Sequence, residues 1–361
     1  MIRIVLFLVV SLLFVQPFST YANKQEGQLT FLVRSSSQSL FQSVLTVEAD
    51  RLFQTIINTE PLHEVTDLPF SNHYLMFEDE AIVRIILMDD FGAFYDLQQN
   101  KKIQFPPKTT KKIKKYFTYL DKNHFGELID WEEVKEIIPR YAKFMITDLE
   151  TGLSFNAQRR AGSSHADVQP LTKKDTIIMK KINDGNWNWK RRAVLIHVND
   201  QFIAASMHGM PHGKGSLVNG FPGHFCIHFK GSTTHKTKNH DLSHQVMVNK
   251  AAGTLTSFLK HLSAEEIAEL FFITLNQKDL DLLTLIYNGD VDHYSHIFNV
   301  IESIRMSERG EPIIEEALIY EVPIKFIIKE KGKRKVETVF TFVIVRDSPT
   351  SEWRLVNVPF E

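Results

Sequence analysis

At 361 residues the chain exceeds what one ordinary hydrophobic core organises, which points to two or three domains. Its 43% hydrophobic and 24% charged residues are those of a globular protein, and a net charge of −1 gives none of the basic excess that nucleic-acid binding wants. A single cysteine, Cys226, excludes an internal disulfide.

The first residues carry a targeting pattern. Arg3 supplies a positive charge, residues 4–15 are apolar apart from Ser11, and Gln16-Pro17 break the run. Ser19, Thr20 and Ala22 then offer small residues for cleavage after Ala22, so residues 1–22 read as a secretory signal. The other reading, an uncleaved anchor, is weakened by an apolar run too short for an ordinary span. No later segment is apolar enough to cross a bilayer. The expected location is extracellular or in the cell envelope, with membrane contact only through the signal segment.

Residues 28–118 predict a small α+β domain. Strands are expected over 29–33 and 81–87, a helix over 39–58, and a hairpin over 94–105 that ends at Pro106-Pro107. Residues 119–142 read as a helical linker. Within it Asp121, Asn123, Gly126 and Glu132 fall on positions 1, 3, 6 and 12 of a calcium loop, but Phe125 removes one oxygen, which favours a polar helix–turn–helix connection.

Residues 143–255 predict a β-rich domain. Hairpins are expected over 144–155 and 193–206, the second turning at Asn199-Asp200, with helices over 172–183 and 243–262. Trp187 and Trp189 share one strand face and read as core. Residues 263–361 open on the capping box Ser263–Glu266 and continue through helices to 287. Strand candidates follow over 317–329, 335–346 and 353–358. Helices followed by long antiparallel strands resemble NTF2-like domains. The fold class expected is therefore multidomain α+β, with a central β-rich domain between two smaller α+β units.

The chemistry concentrates in one stretch. Eight of the 15 histidines lie between His197 and His244, around Cys226. An exported protein that keeps one unpaired thiol suggests a reactive one, which a nearby imidazole activates. In a strand at Cys226, His224 and His228 share the face of the sulfur. Glycines at 209, 213, 220 and 223 allow close approach of backbone to a substrate. Two other readings stay open. One is a metal site drawing on the His208/His212 spacing and on His235, His240 and His244 with Cys226, although no paired-cysteine or His-Glu-x-x-His pattern supports it. The other is a set of exposed polar loops around an inert buried cysteine.

The segment resembles the L,D-transpeptidase catalytic domain, whose motif is a His-Gly pair followed downstream by Ser/Thr-His-Gly-Cys-apolar-Arg. Here His208-Gly209 precedes Cys226 by 18 residues, and Gly223-His224-Phe225-Cys226-Ile227-His228 occupies the second block. Ser163-Ser164-His165-Ala166-Asp167-Val168-Gln169-Pro170 adds to the likeness, which covers residues 143–255 and follows a divergent Gram-positive branch. Gly223, Phe225 and His228 replace the family's Ser/Thr, Gly and Arg.

The resemblance implies an exported cysteine acyltransferase acting on peptidoglycan stem peptides, through a thioester that an amine or water resolves. It makes Cys226 the nucleophile, His208 the general base and His224 its support, with Gly209, His212, Gly223 and His228 at the substrate. No cofactor and no metal are expected. The alternative function is a catalytically degenerate envelope-binding protein.

Overall fold

The computed structural model describes residues 5–6, 27–79, 82–234 and 239–360. Apart from the backbone of Val5 and Leu6, the proposed signal segment and its cleavage position lie outside the described residues, as does His235. No helix among the described residues is long and apolar enough to cross a membrane.

The described residues form a mixed α and β structure with three β-sheets, one of them closed into a barrel. The first sheet contains β1 (Val5–Leu6), β2 (Gln28–Arg34), β3 (Gln42–Glu48), β4 (His73–Asp79), β5 (Ile82–Met88), β6 (Phe94–Asp96) and β7 (Lys101–Ile103). They run in the order β1-β3-β2-β4-β5-β6-β7, each antiparallel to its neighbours. Period-two alternation drives Leu29, Phe31 and Val33 of β2 inward. They meet helices α1 (Asp50–Ile57) and α2 (Pro107–His124), which bury Leu52, Ile56, Ile113, Phe117 and Leu120 in the same core.

The helix expected over 39–58 is a correction. Its first half is β3, because Leu45 and Val47 alternate into the core and β-branched neighbours favour a strand. The calcium-loop reading is not supported by the conformation either. Asp121 and Asn123 belong to α2, Asp121 Oδ1 lies 2.8 Å from His73 Nε2, and Asn123 donates to the carbonyl of Tyr119. Gly126 and Glu127 instead dock on neighbouring backbone, with N–H bonds to the carbonyls of Ala251 and Phe202.

Helix α3 (Trp131–Ile137) leads into the barrel strands β8 (Lys143–Asp148), β9 (Ser154–Ala161) and β10 (Ala166–Pro170). Helix α4 (Lys173–Ile182) follows, then β11 (Arg191–Val198), β12 (Gln201–His208) and β13 (Phe225–His228). The barrel closes in the order β10-β13-β12-β11-β8-β9. Phe155, Val168, Ile196, Ala205, Met207, Phe225 and Ile227 fill it. A salt bridge of Arg192 to Asp148, at 2.6 and 2.7 Å with both side chains buried, ties β11 to the end of β8. Breaking such a pair costs about 3–5 kcal/mol, because it strands a buried charge.

The helix expected over 243–262 divides at Gly253 into α5 (Leu242–Ala251) and α6 (Leu255–Leu259). Gly253 has φ +67°, and a Cβ there would strike the Phe125 ring at 2.7 Å. Helix α5 is apolar on several faces because it is covered from two sides. Val246, Met247 and Ala251 share a core with Ala193, Leu195 and Ala204 of the barrel's outer face and with the C-terminal elements. Those elements are α7 (Ala264–Gln277), α8 (Leu280–Ile286), α9 (Tyr294–Val300), β14 (Ile301–Arg309), β15 (Ile313–Glu315), β16 (Ile319–Glu330), β17 (Val336–Val345) and β18 (Arg354–Leu355). The sheet order is β14-β16-β17-β18, with β15 also paired to β16. The Ser263–Glu266 capping box forms as expected, whereas β4, β10 and β14 are strands that the sequence pattern did not mark.

Candidate functional site

Strand pairing assembles the site. On β13, Phe225 and Ile227 point into the barrel, so Cys226 and His228 point out of it. Register sets Asp167 of β10 opposite Cys226, and Ser206 of β12 opposite His228. His208, two residues along β12, shares the face of Ser206. One outer patch of the barrel therefore carries Asp167, Cys226, His228, Ser206 and His208. Helix α5 covers part of it, with His244 Nδ1 2.8 Å from Ser206 Oγ.

The segment between His208 and Cys226 doubles back over this patch. His212 and His224 exchange backbone hydrogen bonds of 2.9 Å in each direction. This bridge brings His212 Nε2 to 3.2 Å from Cys226 Sγ. The other nitrogen, Nδ1, lies 3.2 Å from the Met210 carbonyl, which can only accept. Nδ1 therefore carries the proton, and Nε2 presents its lone pair to the sulfur. Asp167 Oδ1 stands 3.8 Å from Sγ, 3.5 Å from His165 Nε2 and 3.7 Å from His224 Nε2.

Around this centre the imidazoles form a continuous array. His165 stacks on His228 with ring centroids 4.4 Å apart, and His228 stacks on His244 at 3.8 Å. His208 lies 5.3 Å from His212 and 5.9 Å from His244. Trp189 covers the outer edge, 4.6 Å from His208 and 5.7 Å from His212.

The surroundings of Cys226, His208, His212 and His244 disfavour the charged form of each. Burial, and then the Asp167 carboxylate, push the Cys226 thiol well above its ordinary range. Burial pushes His208 and His244 well below the usual imidazole value, and His212 is lowered too, partly opposed by its bond to the Met210 carbonyl. Arg191, whose positive charge also disfavours protonated His208 and His244, is held by Asp241 at 2.7 Å.

The expected residues divide as follows. Cys226 and His208 are buried, while His212 and His224 are half-buried at the solvent side. The histidine nearest the sulfur is His212, not His208. His224 acts from its backbone on His212 and from its ring on Asp167. His228 is buried among imidazoles. Gly209 and Gly223 are buried and closely packed rather than open to a substrate: a Cβ on Gly209 would meet Asn183 Oδ1 at 2.2 Å, and one on Gly223 the His212 carbonyl oxygen at 2.5 Å. The Gly223 N–H is already bonded to the Phe221 carbonyl. His240, one of the candidate ligands of the metal reading, is exposed.

The sequence pattern assigned no role to Asp167 or His165, named His244 only as a candidate metal ligand and placed Trp189 in the core. Asp167 and His165 lie in the Ser163–Pro170 stretch that carries part of the resemblance. Trp189, expected in the core, is 51% exposed, whereas Trp187 packs against Phe221 with centroids 5.1 Å apart. Among the described residues, two sets of side chains can offer ligand atoms to one metal ion: His208, His212 and Cys226, and His165, Asp167 and Cys226. Comparison with family models, with curated proteins and with solved structures finds no match.

Proposed function

We propose that the chain is an exported cysteine acyltransferase acting on peptidoglycan stem peptides, with a central L,D-transpeptidase-like catalytic barrel flanked by an N-terminal α+β domain and a C-terminal NTF2-like one. The observation that carries the acyl-transfer chemistry is the 3.2 Å contact of Cys226 Sγ with the lone-pair nitrogen of His212. The substrate class rests on the resemblance of residues 143–255.

With thiol and imidazole both neutral at rest, attack and proton transfer occur together. The sulfur bonds to the carbonyl carbon of the diamino acid as its proton passes to His212 Nε2. The C–N bond to the leaving D-alanine then breaks, and that nitrogen takes the proton from His212. An amine of a second stem, or water, attacks the thioester, gives a proton to His212 and regenerates the thiol. His224 positions His212. His208 supports the His212 ring from behind rather than touching the reacting atoms first.

The test is release or exchange of D-alanine from a stem tetrapeptide by the purified chain. Wild type should turn over, while Cys226→Ala and His212→Ala should not. A wild-type protein that neither releases nor exchanges D-alanine refutes the reading.

One observation favours a second reading, an envelope-binding protein on a degenerate catalytic fold: Cys226 is only 5% exposed. On that reading Cys226→Ala binds cell-wall material as wild type does and keeps the full biological effect.

A further inference from the structure

The sulfur of Cys226 is also the meeting point of more ligand-competent atoms than a thiol–imidazole pair requires. One atom each from His208, His212 and Cys226 lies within 4.8 Å of the other two. Around a tetrahedral zinc ion, bonds of about 2.3 Å to sulfur and about 2.0 Å to nitrogen place ligand atoms roughly 3.3–3.6 Å apart. The 3.2 Å from Cys226 Sγ to His212 Nε2 is close to that spacing, and His208, with a ring nitrogen within 4.8 Å of both atoms, is a short side-chain movement away.

Three further features belong to a metal site. His212 donates Nδ1–H to a backbone carbonyl, which fixes the tautomer with Nε2 free to ligate, as ligating histidines commonly are fixed. His208 is 3% exposed and its Nδ1, fully buried, has no hydrogen-bond partner among the described residues. Asp167 Oδ1, 3.8 Å from the sulfur, places a carboxylate beside the thiolate, so that the two negative charges match one divalent cation. The Arg191 guanidinium is held by Asp241 at 2.7 Å.

We propose that Cys226, His212 and His208 bind a zinc-class divalent cation, with Asp167 beside the sulfur and a fourth coordination position left for water. The soft thiolate and two imidazoles suit Zn²⁺ and exclude Ca²⁺ and Mg²⁺, which take oxygen ligands. Binding exchanges the thiol proton for the metal. The ion and an acyl group therefore occupy the sulfur alternately, so the metal-bound form is a blocked one. The metal site stands whether or not Cys226 is catalytic; only the blocking rests on the acyl-transfer reading.

The full chain, stripped with a chelator, is titrated with Co²⁺ by absorption and with Zn²⁺ by calorimetry. One ion per chain is expected, with a thiolate-to-cobalt charge-transfer band in the near ultraviolet that Zn²⁺ abolishes. Cys226→Ser should lose the band, and His212→Ala and His208→Gln should each weaken Zn²⁺ binding by about tenfold or more. Circular dichroism and melting of each variant show that it is folded; if Cys226→Ser does not fold, the two histidine variants carry the test. A Co²⁺ spectrum without the charge-transfer band, or unchanged Zn²⁺ affinity in both folded histidine variants, overturns the site. If Co²⁺ ligates the sulfur and the metal-free protein never turns over a stem peptide, the metal site holds and the acyl-transfer reading fails.

Discussion

His212 and His224 are locked to each other through both of their backbone N–H groups, and this bridge, rather than proximity along a strand, delivers an imidazole to Cys226. The turn between them depends on Gly213, which has φ +60° and whose added Cβ would lie 2.3 Å from His224 Cε1. Gly213→Ala should shift the His224 ring and the His212 lone pair with it. The expected result is a fall in kcat/KM of about 10²-fold with a small change in melting temperature, read from steady-state kinetics beside a thermal melt.

The two candidate bases separate by mutation and by pH. Removing a general base costs about 10²–10⁴-fold, and His212→Ala should show that loss, with His208→Ala costing less. His212 works as the neutral form, and burial lowers its pKa below the usual imidazole value. The acid limb of kcat/KM should therefore begin below about 6.5, the ordinary histidine value. Because the thiol is raised, the profile should not break near about 8.5, where a free cysteine ionises. A stronger loss in His208→Ala than in His212→Ala contradicts this assignment.

Asp167 should slow reagents that need the thiolate. Its carboxylate adds to burial in raising the thiol pKa, so Asp167→Asn lowers that pKa and increases the thiolate fraction at neutral pH. Iodoacetamide labelling of Cys226, followed by mass spectrometry at pH 7, should be several-fold faster in this variant than in wild type. Equal or slower labelling in a folded Asp167→Asn protein removes the electrostatic role.

Stability should fall on acidification through a group far from the site. His124, at the end of α2, is fully buried with its Nδ1 3.1 Å from Ser43 Oγ, and burial followed by the nearby His73 lowers its pKa to about 3. The unfolded chain binds that proton near the ordinary value of about 6.5, so between these values it holds more protons than the folded one. Stability is then full above about 6.5 and declines as pH falls towards about 3. A tenfold difference in proton affinity between the folded and unfolded chain is worth about 1.4 kcal/mol, so the decline amounts to a few kcal/mol. Denaturant titrations from pH 7 to 4 should show it, and His124→Asn should flatten the slope.

Much of this architecture was legible because single elements announce themselves. The Ser263–Glu266 box, the Asn199-Asp200 turn and the alternation in 29–33 are local signals, and local physics decides them. Residues 39–58 misled because the apolar spacing of Leu40, Val44 and Val47 also suits a helix, and only pairing with β2 selects the strand. At the site, Cys226 and its flanking histidines were visible as a cluster. The partner of the sulfur was not, since spacing in the chain favours His208 and the choice of His212 is made by a backbone bridge across eleven intervening residues. Asp167 enters through the β10–β13 register and His244 through the docking of α5. Neither contact has a signature along the sequence.

The most direct test of the proposal that Cys226 is an acyl-transfer nucleophile is the intact mass of the protein after brief incubation with a stem tetrapeptide and acid quench. The expected spectrum shows the mass of one acyl tripeptide added, mapped to Cys226 and absent from Cys226→Ala. An unmodified wild-type mass together with no D-alanine release, or an adduct that maps elsewhere and persists in Cys226→Ala, would contradict it.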